Sequence, residues 1–282
     1  MPLLGAMLRG ETAGELDAAA LEMAAIERPG LDPGPYLDTL DQLASEIATR
    51  LGRGHDGPKF VRVANHYLFE ELSFRGNESE YYDPRNSCLD AVLDRRTGIP
   101  ITLSVVYIEV ARRLGQPVFG IGLPGHFIVQ YNDGKYSTFA DPFHGGKLLT
   151  EEDCRVLARE VGVDIAAEPS TLQPVSNRYI LVRMLNNLRS SYFRSKNYRK
   201  AIQALDPLVE AFPSNAEYYK ARGVARLQLR EFRAAKADLE KYLKCSPEAE
   251  SPCDDLAGYV VQRPVVTEGV RPQAYESFGH AD

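Results

Sequence analysis

The chain has 282 residues, of which 44% are hydrophobic and 26% are charged, and its net charge is −6. This composition is typical of a globular protein with one or two domains and excludes a disordered or fibrous chain. The absence of any run of eighteen apolar residues excludes a membrane-spanning helix. The sequence starts without a secretory signal and its four cysteines form no CxxC pair, so we expect a reducing, cytoplasmic location and no disulfide framework.

Charge is distributed unevenly along the chain. Residues 180–247 carry fourteen Lys or Arg and six Asp or Glu, whereas residues 248–282 carry two and seven. A basic segment can bind nucleic acid, but here it is attached to an acidic half and an acidic tail. We therefore interpret the basic segment as a docking or solvated helical face, and we expect no nucleic-acid partner. Direct regulation of transcription is the weakest hypothesis.

The first part of the chain is predicted to be helical. Residues 14–28 are rich in alanine, and residues 28–35 interrupt the pattern with three prolines and two glycines. Apolar residues then recur at three- and four-residue steps over 37–51 and again over 61–72. This pattern predicts a small helical bundle or lid.

A long helix is predicted to begin near Pro100 and to end at Gly115. Its apolar residues follow helical spacing, and proline suits a first helical turn because its missing N–H would have no partner there. A short helical piece around 87–96 precedes it. Three predicted strands follow at 117–123, 125–131 and 135–141, and Thr150 with Asp153 then resembles a capping box that opens a helix to about residue 161.

The second and third predicted strands place a histidine beside an aspartate. If Asp133-Gly134 is a two-residue hairpin loop, His126 lies directly opposite Asp141. A histidine oriented by an aspartate supplies two of the three members of a nucleophilic triad. The alternative is a buried polar pair that only fixes the hairpin register.

Several motifs together resemble the transglutaminase-like core. They are Arg-Arg-Leu-Gly-x-Pro at 112–117, Gly-His on the next strand and Asp-Pro on its hairpin partner. In that family a cysteine opens the helix, and the resemblance assigns the family histidine and aspartate to His126 and Asp141. The cysteine position, fifteen residues before Gly115, is Pro100, and its neighbours Ile99 and Ile101 carry no thiol either.

An internal repeat of 34 residues occupies 180–247. Matching positions are Pro213 and Pro247, Tyr198 and Phe232, Ala201 and Ala235, and Leu205 and Leu239. The period resembles that of the tetratricopeptide repeat, a helix-turn-helix unit. Pro207 is expected to kink or end the second helix of the first copy. Because each repeat must bury a face against a neighbour, two copies are expected to pack on the preceding domain.

Residues 35–247 as a whole resemble a bacterial transglutaminase-like and tetratricopeptide family that has been labelled an invasion-regulator family. The fold class it implies is an α+β transglutaminase-like (papain-like) core with N-terminal helices, followed by an all-α repeat pair. The predicted regions are 1–55 (helical), 56–165 (transglutaminase-like), 180–247 (repeats) and 248–282 (a flexible tail). Members of this family keep the histidine and aspartate and lack the cysteine.

The missing thiol favours a non-catalytic domain that acts as a protein- or peptide-binding scaffold or as a regulatory protein. The alternative is a cysteine-type hydrolase or acyltransferase in which Cys88 is a displaced nucleophile for His126 and Asp141. A lone cysteine at such a place is more often a small buried side chain. Thr102 and Ser104, in the first turns of the helix, are interpreted as capping or solvated hydroxyls.

Two groups of charged residues are candidate binding sites. The first precedes the long helix and could either line a peptide- or carboxylate-binding cleft or brace the loop. It consists of Asp83, Arg85, Asn86, Arg95 and Arg96. The second is a predicted basic helix face in the repeats, formed by Lys220, Arg222, Arg226 and Arg230, in which Arg226 and Arg230 are the chosen binding candidates. No metal or cofactor is predicted, because His55, His66, His144 and His280 have no metal-ligand spacing to one another.

Overall fold

The N-terminal part of the chain is helical, as predicted. The computed structural model describes residues 1–13, 15–164 and 169–245. Its first four helices are α1 (Pro2–Arg9), α2 (Leu16–Ala24), α3 (Gly34–Leu51) and α4 (Gly57–Asn65), and a π-helical turn at His66–Glu71 extends the last of them. Alanines Ala19, Ala20 and Ala24 lie on the buried side of α2, where small side chains allow close helix packing.

The central helix of the fold is α6 (Pro100–Arg113), which begins at the predicted proline. Every residue from Pro100 to Ala111 is buried, so the helix has core on all sides. The shorter α5 (Leu89–Arg95) precedes it, and two-residue strands β1 (Arg75–Gly76) and β2 (Thr97–Gly98) pair in parallel beside it. A 3-10 turn at Pro84–Ser87 leads into α5.

An antiparallel sheet packs against α6, with the strand order β3-β4-β5-β6. Its strands are β3 (Val118–Ile121), β4 (Ile128–Asn132), β5 (Ser137–Asp141) and β6 (Lys147–Leu149). Sequence analysis did not predict β6. A capping box formed by Thr150 and Asp153 then begins α7 (Glu151–Glu160), as predicted.

The predicted hairpin register was wrong by two residues. Asn132 pairs with Ser137, so the loop has four residues rather than two. Asp133 explains the longer loop, because its Oδ1 accepts hydrogen bonds from the backbone nitrogens of Lys135 and Tyr136. Side chains alternate between faces every residue, so a shift of two preserves which face each residue occupies. His126 and Asp141 therefore still meet, although His126 precedes β4 instead of lying within it.

The two repeats are two antiparallel helix pairs. They consist of α8 (Asn177–Arg194), α9 (Tyr198–Ala211), α10 (Ala216–Gln228) and α11 (Phe232–Lys244). Gly223 of α10 lies against Leu239 of α11, where a Cβ would come within 3.0 Å of the leucine side chain. Helix α9 continues to Ala211, so Pro207 does not end it; the proline is buried where α8 and α10 pack on α9.

The repeats pack on the N-terminal helices, in agreement with the need of a short array for a neighbour. Helix α1 contacts α8 and α9, and α2 also contacts α8. The Arg178 guanidinium donates a hydrogen bond to the Leu8 carbonyl at 2.7 Å, and the Tyr192 hydroxyl donates to Glu27 at 2.7 Å. The predicted tail at 248–282 lies outside the described residues. Among the described helices, none is both long and apolar enough to cross a membrane.

Candidate functional site

Asp141 lies between two histidines at the end of β5. One carboxylate oxygen, Oδ2, is 2.7 Å from Nε2 of His126 and 2.7 Å from Nδ1 of His144. The other oxygen, Oδ1, accepts hydrogen bonds from the backbone nitrogens of Phe143 and His144 and so caps the 3-10 turn Pro142–His144. Both oxygens are therefore held, and the turn brings the second histidine to the first.

The ionisation of this cluster follows from its hydrogen bonds. Burial alone would raise the pKa of Asp141, which is 2% exposed, but the hydrogen bonds from His126 and His144 outweigh burial and hold this pKa well below its ordinary value. The hydrogen bond to Asp141 raises the pKa of His144. Asp141 is thus a carboxylate at neutral pH, and it favours a proton on His144.

The backbone at His126 is fixed from the first repeat. Arg183 of α8 donates to the carbonyls of Leu123 at 3.0 Å and of His126 at 2.6 Å. The His126 nitrogen in turn donates to the Leu123 carbonyl, which closes a tight turn before β4. The phenyl ring of Phe143 meets the His126 ring edge-on, with 6.1 Å between their centres. A repeat helix therefore positions one member of the cluster.

The start of α6 offers no thiol. Ile99, Pro100 and Ile101 are all buried, and α6 packs against the 3-10 turn that carries His144. Thr102 and Ser104 are fully buried, and their hydroxyl oxygens have no hydrogen-bond partner among the described residues. The prediction that these hydroxyls are capping or solvated was wrong, because core packing surrounds the whole first half of α6.

Comparisons with known proteins agree with this architecture. Residues 35–186 match the model of the transglutaminase-like superfamily, and residues 188–252 match that of the tetratricopeptide repeat. A UPF0162 protein of Xylella fastidiosa (strain Temecula1) is 39% identical over 251 residues, which are 87% of this chain and 89% of that protein. The chain belongs to the UPF0162 family of transglutaminase-like proteins. The suspected family and the predicted fold class are confirmed.

More distant relatives of this UPF0162 chain share only part of its length. A UPF0162 protein of Vibrio cholerae is 29% identical over 182 residues, covering 64% of this chain and 67% of that protein. Human F-box only protein 21 is 31% identical over 164 residues, which are 54% of this chain but 25% of the human protein. No solved structure matches the chain.

Cys88 lies in a different environment from the histidine cluster. It is fully buried at the start of α5, and its Sγ donates to the Pro84 carbonyl. Burial, with smaller effects of Asp90 and Glu27, raises the pKa of its thiol far above the ordinary value. The thiol is therefore protonated at neutral pH, which is unfavourable for a nucleophile. Sequence analysis did not consider Cys154, whose pKa is raised to about 12, mainly by burial, and which packs in the core beneath the sheet.

The polar residues before α6 mostly brace their own loop. Arg85 forms a bidentate ion pair with Asp83, and Arg95 lies 3.7 Å from the same carboxylate. Asn86 is buried and donates to the carbonyls of Glu80 and Tyr81, a structural role. Arg96, the last member of the predicted group, ends α5 in the left-handed backbone conformation. Its guanidinium donates a hydrogen bond to the Leu72 carbonyl.

The prediction of a basic helix face on the repeats was wrong for two of its four residues. Arg222 and Arg226 turn inward to Asp238 of α11, with shortest distances of 2.8 and 2.7 Å. Asp238 is 3% exposed, and a buried carboxylate needs paired cations. Arg230 is exposed just after α10, and its place in a binding surface stays a prediction.

Sequence analysis missed His144 as a member of the site. The available signal was its spacing of three from Asp141, across a proline that favours a tight turn. A separate cavity of about 830 Å³ lies beside α4 and the π-helical turn, with His66, Glu70 and Tyr136 among its lining residues. None of the residues predicted as functional lines that cavity.

Proposed function

We propose that this protein binds a protein or peptide partner, as a scaffold or regulatory protein, without a cysteine nucleophile. The observation that carries the proposal is Pro100, buried at the helix start where the transglutaminase-like family has its cysteine. Loss of a covalent nucleophile costs on the order of a millionfold in turnover. The two buried thiols, Cys88 and Cys154, have raised pKa values and are poor substitutes.

The repeats are the surface that we propose for the partner. Stacked helical repeats commonly bind extended peptides. Helices α10 and α11 expose four large apolar side chains that a partner could cover. They are Val224, Leu227, Phe232 and Leu243. Phe232 and Leu243 are 64% and 71% exposed, the largest exposures among the large hydrophobic residues described.

Binding is tested by affinity capture with the full chain, identification of the captured protein and titration of the two purified components. Replacing both Phe232 and Leu243 with serine is expected to weaken the affinity at least ~10-fold if they form a central contact. Val156→Ser removes an exposed apolar side chain on α7, outside the repeats, and serves as the matched control. Equal affinities for the parent chain, the double variant and the control would refute the proposed surface.

The absence of thiol chemistry is tested separately with amide-hydrolysis and amine-incorporation assays on a panel of glutamine-containing peptides. We expect no turnover that depends on His126. Turnover that disappears in both Cys88→Ser and His126→Ala would instead establish the cysteine-type hydrolase or acyltransferase. Turnover lost only in Cys154→Ser would identify a different nucleophile and would equally overturn the proposal.

A further inference from the structure

We propose that His126, Asp141 and His144 form a binding site for one divalent transition-metal ion such as Zn²⁺. A recurrent ligand set for such metals consists of two imidazoles and one carboxylate on one side of the ion, with the remaining positions open. The proposed site needs no thiol and is independent of partner binding by the repeats.

The distances are close to those that coordination requires. One ligand atom from each residue can be chosen so that all three atoms lie within 4.8 Å of one another. Zinc binds imidazole nitrogen and carboxylate oxygen at about 2.0–2.2 Å, so neighbouring ligands in a tetrahedral site are roughly 3.3 Å apart. The two contacts of Asp141 Oδ2 are 2.7 Å. Conversion of the hydrogen-bonded cluster into a coordination site therefore requires these two contacts to widen by about half an ångström. It also requires the two imidazole nitrogens, now within 4.8 Å of each other, to approach to roughly 3.3 Å.

Groups around the three side chains already hold them in place, as the hydrogen-bonding partners of metal ligands do in known metal sites. Asp141 Oδ1 is fixed by the backbone nitrogens of Phe143 and His144, which leaves Oδ2 for the ion. Arg183 holds the backbone of His126 through that residue's carbonyl. The ring of Phe143 stands edge-on to both imidazoles, with centres 6.1 and 5.0 Å away, and gives the site an apolar wall. Fixed ligands and a hydrophobic wall are properties that tune metal sites.

The site is buried on one side and open on the other. The side chain of Asp141 is 2% exposed, whereas those of His126 and His144 are 14% and 29% exposed. An ion could therefore enter from solvent and keep water at its remaining positions. The neighbouring charges partly cancel, because Glu78 favours and Lys147 opposes a positive charge at His144.

A second grouping of histidine and carboxylates provides a contrast on the same chain. His66 lies 2.8 Å from Glu70 and 3.3 Å from Glu71, but all three side chains are substantially exposed. Glu70 and Glu71 belong to one helical turn at the surface, and Glu71 already forms an ion pair with Arg50. His66 therefore serves as the matched control for a histidine near acidic residues.

The test uses the full chain, freed of metal with a chelator and then dialysed. Zn²⁺ is titrated by calorimetry, and Co²⁺ is titrated while its visible absorption is recorded. We expect one ion per chain, with a cobalt spectrum typical of four or five nitrogen and oxygen ligands and without a thiolate charge-transfer band. His144→Gln and Asp141→Asn should each weaken Zn²⁺ binding by at least ~100-fold, since loss of even an outer-shell partner costs about 10–100-fold.

The control is the double variant His66→Ala with His280→Ala, which should bind Zn²⁺ as the parent chain does. Circular dichroism of every variant establishes that folding is retained, and His144→Gln is chosen because glutamine preserves a hydrogen-bonding side chain on the exposed side. The proposal is wrong if the parent chain binds no ion, if both ligand variants bind as tightly as the parent, or if only the control variant loses binding.

Discussion

Two buried aspartates of this chain, Asp141 and Asp238, each lie between two basic side chains, yet the two arrangements differ in kind. Asp141 contacts two histidines at the end of β5, an inner strand of the sheet. Asp238 contacts Arg222 and Arg226 and joins α11 to α10. Arg222 also reaches Asp206 of α9 at 2.9 Å, which extends the second cluster over three helices.

The chemistry of the basic partners decides what each cluster can do. A guanidinium is always protonated and has no lone pair to offer, so Arg222 and Arg226 can only neutralise Asp238. A neutral imidazole can accept a proton or bind a metal ion, so the histidines around Asp141 can exchange what they carry. The two aspartates are similarly buried and lie at similar distances from their partners. Asp238 nevertheless forms a permanent cross-link in the repeats, whereas the histidines around Asp141 can bind and release a cation.

The largest effect that this comparison predicts is on stability. Asp238→Ala leaves two inward-facing guanidinium groups without that carboxylate, and we expect the free energy of unfolding to fall by about 3–5 kcal/mol. Asp141→Ala should cost less, about 1–2 kcal/mol, because it removes a turn cap and two imidazole hydrogen bonds but leaves no permanently charged side chain unpaired. Urea denaturation followed by circular dichroism measures both. A loss for Asp141→Ala as large as that for Asp238→Ala would contradict the distinction.

A third buried cluster extends the comparison to pH. Asp17 is paired with Arg112 and Arg113 and shares them with Glu109, which is 1% exposed. Burial, reinforced by the charge of Asp17, raises the pKa of Glu109 to about 7, from an ordinary value of 4.5. The folded state thus holds this proton more tightly than the unfolded state between the two values.

The raised pKa of Glu109 determines whether stability rises or falls with pH. Stability contributed by protonated Glu109 is complete below about pH 4.5 and is lost as the pH rises through 7, by an amount on the order of 3 kcal/mol. Glu109→Gln should remove this slope. The measurement is the difference in unfolding free energy between parent and variant from pH 4.5 to 8. A difference that does not change over this interval would show that arginine pairing keeps Glu109 ionised throughout.

A smaller effect is predicted for Arg183, a positioning residue outside the ligand set. Arg183→Ala frees the turn that carries His126, and we expect Co²⁺ affinity to fall about 10-fold, with partial rescue by Arg183→Lys. Arg178→Ala is the matched control, because Arg178 lies on the same helix and also donates to a backbone carbonyl, that of Leu8. If both alanine variants reduced affinity equally, the effect would belong to helix α8 in general.

The contrast between the clusters also marks what the sequence could predict. The proximity of His126 to Asp141 was predictable although the register was wrong, because a two-residue shift leaves both on one face. His144 was missed because the strand pattern was followed only to Asp141, and the tight turn that Pro142 favours was not used to bring His144 back to it. The inward direction of Arg222 and Arg226 was missed because spacing along α10 says nothing about a buried carboxylate on α11. Local periodicity thus located the main helices and three of the six described strands, whereas long-range charge pairing required the structure.

The smallest predicted effect concerns a thiol introduced at the start of α6. In Pro100→Cys, with the chain kept in chelator, the introduced thiol should be alkylated a few-fold to about 10-fold faster than in the same variant carrying His126→Ala, since a nearby imidazole stabilises the thiolate. The effect is modest because position 100 is buried. Ala216→Cys places a thiol at the first turn of α10, another helix start, and its alkylation rate should be insensitive to His126. Peptide mapping by mass spectrometry separates the introduced thiol from the native cysteines. Equal rates with and without His126 would show that the helix start and the histidine no longer face each other as they do in a cysteine-dependent member of the superfamily.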